Sequence, residues 1–284
     1  MPEAALQLPA ILREASERLR KAGIPDARRQ ALVIWSELTG LSAGQALLTS
    51  EATAEQSSRF QEAVNRRAGG EPLPYVTGCV GFRHLTLHSD GRALIPRPET
   101  EGLVELLLDR VSGGVAADVG TGSGCIALSL AHEGEFRCVL AIDRSARALE
   151  LARVNHGLAG APSNVHFVRA DLASVISPGS LDALISNPPY LTLSEHASLD
   201  PSVRNWEPAE ALRAGVDGFE SITPLLGQGW TVLRPGGWLA LEVDCTRAAA
   251  VAHSAERHGW RDVSIHLDLF GRERYMLARR SDTR

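Results

Sequence analysis

The sequence has few cysteines and no long apolar run, and each absence excludes a class of protein. Its cysteines form no C-x-x-C pair, and they are Cys79, Cys125, Cys138 and Cys245. Scattered thiols of this kind are typical of a reducing cytosol. No stretch of about 18 apolar residues occurs, which excludes a transmembrane helix. The start, Met1-Pro2-Glu3, lacks the basic and apolar parts of a signal peptide. We therefore predict a cytoplasmic protein with no membrane partner.

Basic charge and metal-binding patterns are also missing. The chain has 29 basic and 34 acidic residues and a net charge of −5, unlike the basic footprint of a nucleic-acid-binding domain. Its nine histidines show no metal-ligand spacing, so we predict no metal site. The apolar content of 44% is that of a globular protein, and 284 residues are enough for about two domains. We expect a monomer.

A glycine-rich turn between a strand and a helix predicts a nucleotide-containing ligand. The apolar run Val115–Val119 is typical of a strand, and Cys125–Ala131 is typical of a helix. The residues that join them are Gly120, Thr121, Gly122, Ser123 and Gly124. Their Gly-x-Gly-x-Gly spacing, with Asp118 just before it, favours S-adenosylmethionine over a dinucleotide. We predict that this turn binds the methyl donor.

Acidic residues follow the next two predicted strands. Asp143 comes about 20 residues after the glycines, where a carboxylate can accept both hydroxyls of a ribose. Asp171 and Leu172 follow the strand after that, and we predict that they meet the adenine edge. The alternative is that each acid is an ordinary strand-end or capping residue. The ordered set favours a donor site.

The tetrapeptide Asn187-Pro188-Pro189-Tyr190 follows the apolar run Leu181–Ser186. Two prolines end the strand because neither donates a ladder hydrogen bond. The Asn187 side-chain carbonyl and the Pro188 carbonyl can accept hydrogen bonds from a planar NH2 group, and Tyr190 can cover its face. We predict that Asn187, Pro188 and Tyr190 are catalytic, that all four residues bind the substrate, and that Asn187 also contacts the donor. The alternative is a simple turn.

The rest of the chain divides into three segments. Residues 1–70 have the periodicity of a small helical bundle, with a capping box at Thr53-x-x-Gln56. Residues 71–97 are predicted to be a β-hairpin linker that turns at Asp90-Gly91, between strands around residues 85–87 and 93–95. Residues 98–284 alternate strands and helices, which indicates an α/β domain with a parallel sheet. Leu233–Gly237 is interpreted as a helix exit and turn.

These motifs together resemble the HemK/PrmC family of protein-(glutamine) methyltransferases over roughly residues 10–280. The matching stretches are Glu71–Gly78, Leu94–Glu101, Asp118–Ala127, Ala141–Asp143, Ser186–Tyr190, Glu207–Leu212 and Asp217-Gly218. Where family members often read Glu-Ile-Gly, this chain has Glu242-Val243-Asp244.

The resemblance implies a Rossmann-like class I methyltransferase fold. Its mostly parallel sheet would have seven strands, and a β-hairpin would join it to an N-terminal helical bundle that docks the substrate. The implied reaction moves a methyl group from S-adenosylmethionine to the glutamine amide nitrogen in the Gly-Gly-Gln loop of class I peptide chain release factors. S-adenosylhomocysteine is left, and translation termination is supported. Two alternatives stay open: an amino-methyltransferase acting on adenine or guanine in RNA or DNA, and a non-catalytic binding module.

Overall fold

The largest sheet of the protein, for which a computed structural model describes residues 6–281, has seven strands. The start Met1-Pro2-Glu3 and residues 282–284 lie outside the described part. In chain order the strands are β1 (Leu6–Gln7), β2 (Glu51–Ala52), β3 (Cys79–Phe82), β4 (Leu85–His88), β5 (Gly113–Val119), β6 (Glu135–Asp143), β7 (Val165–Arg169), β8 (Leu181–Ser186), β9 (Leu233–Glu242), β10 (Arg261–Leu267) and β11 (Glu273–Arg279).

The helices alternate with these strands from residue 98 onward, as the sequence pattern predicts. They are α1 (Leu8–Lys21), α2 (Ala27–Thr39), α3 (Ala43–Leu48), α4 (Ala54–Ala68), α5 (Leu73–Thr77), α6 (Pro98–Leu108), α7 (Cys125–Glu133), α8 (Ala146–Leu158), α9 (Leu193–Ala197), α10 (Pro201–Arg204), α11 (Ile222–Val232) and α12 (Ala248–Arg257), with a 3-10 turn at Ala209–Ala211. Among residues 6–281, none of the helices combines the length and the apolar composition that a membrane crossing needs.

The large sheet has the order β10-β11-β9-β8-β5-β6-β7, and only β11 runs against its neighbours. The predicted mostly parallel, seven-stranded sheet is confirmed. Successive residues of β5 enter opposite cores: Ala116 packs with α6 and α7, and Ala117 packs with α11 and α12. Helices therefore cover both faces, so functional groups emerge at the strand ends.

The N-terminal helices form a separate unit with its own core. This unit comprises the described residues up to Cys79 together with Asp200–Trp206. Its centre is the edge-to-face pair of Trp35 and Phe60, whose ring centroids lie 5.2 Å apart. The predicted capping box is confirmed, because Thr53 Oγ1 accepts the Gln56 N–H at 3.1 Å and Gln56 Oε1 accepts the Thr53 N–H at 3.0 Å.

The predicted position of the hairpin is wrong. The hairpin pairs β3 with β4 and turns at Arg83-His84, not at Asp90-Gly91. Residues 93–95 form no strand. The Asp90 carboxylate instead accepts the Arg92 N–H at 3.0 Å and pairs with the Arg92 guanidinium, while the Ile95 N–H donates to Glu207 Oε2 at 3.0 Å. Side-chain carboxylates thus accept the backbone N–H groups that would otherwise have paired with a neighbouring strand.

The segment Leu233–Gly237 is also not a turn between a helix and a strand. It is the first part of β9, and it bulges, because the pairing with β8 moves from Leu181↔Leu233 to Ala183↔Trp238. Gly236 has a φ of 80°, and its N–H donates to the Arg280 carbonyl at 3.0 Å. Hydrogen bonds from the chain after β11 therefore keep the Pro-Gly-Gly backbone in the sheet.

Candidate active site

A cavity of about 530 Å³ lies at the carboxyl ends of β5, β6, β7 and β8. The chain runs outward from β5 through β6 to β7 and then returns to β8 on the other side of β5. Such a topological switch point is where open α/β sheets bind ligands. The cavity brings together nine of the residues predicted for the site: Gly120, Thr121, Gly122, Ser123, Asp143, Asp171, Leu172, Asn187 and Pro189.

Three other predicted residues are not part of the cavity lining. Gly124 caps α7 with a φ of 84°, and a Cβ there would lie 3.2 Å from the Ala152 Cβ. Pro188 is buried, and Tyr190 packs beside the core that contains β9. Gly124 therefore has a clear structural role, and contacts of Pro188 and Tyr190 with a substrate remain predictions.

The glycine turn is held against the end of β6. The N–H groups of Gly120 and Thr121 both donate to the Ile142 carbonyl, at 2.8 and 2.9 Å. The Asp143 carboxylate accepts the Gly122 N–H at 2.9 Å and the Ser145 N–H at 2.9 Å. Burial raises the pKa of Asp143 despite these bonds. The carboxylate is thus fixed at the cavity wall with lone pairs left for further donors.

Asp118 is fully buried beneath the same turn. Its Oδ2 accepts hydrogen bonds from the Thr121 hydroxyl at 2.6 Å and from the Ala127 N–H at 3.1 Å. Its Oδ1 has no hydrogen-bond partner among residues 6–281. Burial raises the pKa of Asp118 to about 7. A buried carboxylate oxygen without a partner is costly, which favours the neutral, protonated form of this acid.

The residues at this end of the cavity fit S-adenosylmethionine. Gly120 and Gly122 have φ values of 77° and 55°, in the left-handed region that favours glycine, so the backbone can approach a ligand closely. Asp143 offers a fixed acceptor for ribose hydroxyls, whereas the fully buried Asp118 is not part of the cavity lining. Leu172 also lines the cavity. Its φ of 50° lies in the left-handed region, which residues other than glycine rarely adopt.

A largely buried hydrogen-bond network begins at the Asn187 carboxamide. Its Nδ2 donates to Thr100 Oγ1 at 3.1 Å, and the Thr100 hydroxyl donates to Glu242 Oε2 at 2.7 Å. The Tyr190 hydroxyl is 3.5 Å from Glu242 Oε1, at the limit of a hydrogen bond. Burial raises the pKa of Glu242 and of Tyr190. The network therefore joins two residues of the Asn-Pro-Pro-Tyr motif to α6 and β9.

Thr100, Glu242 and Glu207 are not among the site residues predicted from the sequence. Glu207 is almost fully buried, and it accepts the Ile95 N–H at 3.0 Å and pairs with Arg97 at 2.5 Å. Thr100 and Arg97 belong to the Pro-Arg-Pro-Glu-Thr-Glu stretch, and Glu242 is an acid at the end of an apolar strand. For Glu242, that position in the strand was the available signal.

Comparison with known proteins identifies two family domains along the chain. Residues 10–78 match the PrmC N-terminal domain, and residues 98–200 match the methyltransferase small domain. The release factor glutamine methyltransferase of Deinococcus radiodurans is 39% identical over 97% of this chain and 99% of its own length. The protein of the same name from Nitratidesulfovibrio vulgaris is 37% identical, with 96% and 95% covered.

Solved structures agree on the fold. A methyltransferase from Pyrococcus furiosus has a TM-score of 0.54 at 17% identity and covers 80% of this chain and 99% of its own. The ribosomal protein L11 methylase of Lactobacillus delbrueckii subsp. bulgaricus has a TM-score of 0.52 at 19% identity, with 72% and 98% covered. From the near full-length sequence identity to the curated proteins, the chain belongs to the release factor glutamine methyltransferase family.

Proposed function

We propose that the protein methylates the side-chain amide nitrogen of the glutamine in the Gly-Gly-Gln loop of class I peptide chain release factors, in the cytoplasm and in support of translation termination. One observation carries the proposal. The Asn187 carboxamide lines the same cavity as the glycine turn and Asp143. A group able to hold a planar amide thus faces the residues suited to a methyl donor.

The donor end of the cavity is assigned to S-adenosylmethionine. When bound, this donor supplies an electrophilic methyl group on a sulfonium and leaves as S-adenosylhomocysteine. The turn from Gly120 to Gly124 would support the amino-acid part, with Asp118 beneath it. Asp143 would accept the ribose hydroxyls, and Asp171 with Leu172 would border the adenine.

The acceptor end has to orient a poor nucleophile. The lone pair of a glutamine amide nitrogen is delocalised into its carbonyl, so the nitrogen attacks only when it is aimed well. The Asn187 side-chain oxygen and the Pro188 carbonyl would accept its two hydrogens, while Pro189 and Tyr190 would border the amide plane. Orientation of this kind supplies several kcal/mol of a barrier, with about 7–11 as its upper range.

The helical unit is proposed as the docking surface for the release factor. A groove of about 1040 Å³ runs between α1, α2 and α3. Its apolar lining includes Leu12, Ile24, Leu32 and Leu47. Its exposed basic residues are Arg13, Arg20, Arg28 and Arg29, against Glu17 and Asp26 as the acids. Because the bases outnumber the acids, the groove suits an acidic amphipathic segment of the release factor.

Incubation with labelled donor and a panel of acceptors tests the proposed function. The panel consists of a class I release factor, total RNA, DNA and free glutamine. We expect label on the release factor and almost none on free glutamine, because a primary amide alone offers little binding energy. Label on RNA or DNA but not on the release factor would overturn the proposal in favour of a nucleic-acid amino-methyltransferase.

A further inference from the structure

We infer that Thr100 and Glu242 are positioning residues that decide which end of the Asn187 carboxamide faces the cavity. The inference rests on the proposed function, because an acceptor NH2 group has to meet the oxygen end of that carboxamide. Neither residue lies in the glycine turn or in the Asn-Pro-Pro-Tyr motif, and both are 2% exposed. Their contacts determine the direction of each hydrogen bond in the network.

The direction follows from the number of protons available. A threonine hydroxyl has one proton, and Thr100 donates it to the Glu242 carboxylate at 2.7 Å. While Glu242 is ionised, the hydroxyl can therefore only accept towards Asn187, and the group it accepts from is the Asn187 NH2 at 3.1 Å. A carboxamide is planar, with oxygen and nitrogen at opposite ends. Thr100 and Asn187 line the same cavity, and with the nitrogen bound to Thr100 the oxygen is left to accept a hydrogen bond from a ligand there.

Glu242 is needed because a threonine hydroxyl can either donate a hydrogen bond to Asn187 or accept one from it. Without an acceptor at position 242, the Thr100 proton could turn towards the Asn187 oxygen, and the carboxamide could flip. Its NH2 group would then face the NH2 group of the substrate, and two donors cannot form a hydrogen bond. The Tyr190 hydroxyl donates to the other oxygen of Glu242 at 3.5 Å, so the same carboxylate accepts from both hydroxyls.

The positions of the two residues keep this arrangement rigid. Thr100 lies in the first turn of α6, and Glu242 is the last residue of β9, directly opposite Tyr275 of β11. The Tyr275 hydroxyl donates to the Glu99 carbonyl at 2.5 Å, which ties the start of α6 to the same pair of strands. The orientation of Asn187 is thus set by packed secondary structure and not by a loop.

Thr100→Val and Thr100→Ser test the inference as a matched pair. Valine has nearly the shape of threonine but no hydroxyl, and serine keeps the hydroxyl. We expect Thr100→Val to lower kcat for release factor methylation about tenfold or more, with donor affinity unchanged, and Thr100→Ser to recover most of the rate. Thermal unfolding and donor titration of the same preparations show whether each variant is folded.

A double-mutant cycle separates positioning from a general structural role. In an Asn187→Ala background, Thr100→Val should cause no further loss of single-turnover rate, because the group it orients is gone. Glu242→Gln keeps an acceptor oxygen and should be milder than Glu242→Met, which has none. These variants supply an independent test if Thr100→Val does not fold.

Two results would overturn the inference. One is a wild-type kcat for folded Thr100→Val, and the other is a loss that adds in full to that of Asn187→Ala. Failure of the proposed function is distinguishable from both, because the wild-type protein would then transfer no methyl group to the release factor. If the wild type methylates a nucleic-acid amino group instead, the same variants test the orientation of Asn187 with that acceptor.

Discussion

The half-buried Asp143 and the fully buried Asp118, both beside the glycine turn, have their hydrogen-bonding capacity satisfied to different degrees. Both oxygens of Asp143 accept a backbone N–H, whereas one oxygen of Asp118 has no partner among residues 6–281. An acid with a fixed geometry and free lone pairs suits neutral hydroxyl donors. An acid with an unpaired, fully buried oxygen binds a proton more tightly. Donor binding therefore tests Asp143, and the pH dependence of stability tests Asp118.

Replacing Asp143 should weaken donor binding without unfolding the protein. A hydrogen bond to a charged group contributes roughly 1.5–3 kcal/mol, so Asp143→Ala should raise the donor Kd about ten- to hundredfold. Isothermal titration calorimetry measures this value. Asp109→Ala removes an exposed carboxylate outside the cavity and serves as the control. An unchanged Kd in folded Asp143→Ala would remove Asp143 from the donor site.

Asp118 should make stability depend on pH in the ligand-free protein. Its folded-state pKa of about 7 lies above the unfolded value of 3.8, so the folded state binds the proton more tightly. The contribution of Asp118 to the free energy of unfolding therefore falls as pH rises from about 4 to 7, and it is constant above that range. Relative to Asp118→Asn, the wild type should lose about 2–3 kcal/mol of unfolding free energy between about pH 5 and pH 7.

Denaturant unfolding at several pH values measures that difference. A constant difference between wild type and Asp118→Asn from about pH 5 to pH 8 would mean that Asp118 does not titrate in this range.

The sequence predicted the residues that follow strands and missed those that meet only in three dimensions. Gly120, Asp143 and Asn187 each come just after an apolar run, and parallel strands bring such ends together. Thr100 and Glu242 are 142 residues apart and come from a helix and a strand whose packing no local pattern specifies. Their pairing therefore could not be predicted.

At the level of elements, bulges let the strands carry extra residues. The register of β5 against β6 shifts between Gly114 and Val115, and Gly114 has a φ of 93°. The Asp182 carboxylate of the neighbouring strand accepts the Val115 N–H at 2.7 Å and pairs with Arg234 at 2.5 Å. A side chain thus replaces part of the ladder at this bulge.

Gly114→Ala should therefore destabilise the sheet strongly. A Cβ at this position would overlap the Asp182 carboxylate, and the backbone conformation strains any side chain. We expect a loss of about 2–4 kcal/mol in unfolding free energy. In α11, Gly227 has open space around a Cβ, so Gly227→Ala should instead gain about 0.5–1 kcal/mol. Denaturant unfolding compares the two, and equal effects would argue against the bulge as described.

Apolar runs predicted strands well, whereas glycine-containing turns were misinterpreted. The predicted run Leu181–Ser186 coincides with β8. Asp90-Gly91 and Pro235-Gly236-Gly237 both carry strong local turn signals, yet the hairpin turns elsewhere and the second segment lies in a strand. In each case distant partners, Glu207 and the chain after β11, satisfy the backbone and override the local preference.

At the scale of the whole molecule, chemistry and substrate docking are assigned to different units of the chain. If the groove of the helical unit docks an acidic segment, reversing its charge should weaken docking and leave donor binding intact. We expect the double variant Arg28→Glu/Arg29→Glu to raise the KM for the release factor about three- to thirtyfold, with less effect at high salt. Steady-state methylation assays measure KM.

Arg59→Glu provides the matched control for this prediction, because Arg59 is exposed on α4 and is not part of the groove. It should leave KM for the release factor near the wild-type value. Equal KM values for the double variant and the wild type would exclude this groove as the docking surface.

The central claim is that Asn187 aims a glutamine amide nitrogen at the methyl donor. Its most direct test is single-turnover transfer from labelled S-adenosylmethionine to a release factor by wild type and Asn187→Ala, with the modified atom located by mass spectrometry. We predict label on the glutamine amide nitrogen, about a hundredfold slower transfer by Asn187→Ala and an almost unchanged donor Kd. Wild-type rates for folded Asn187→Ala, or label on any other group, would contradict the account.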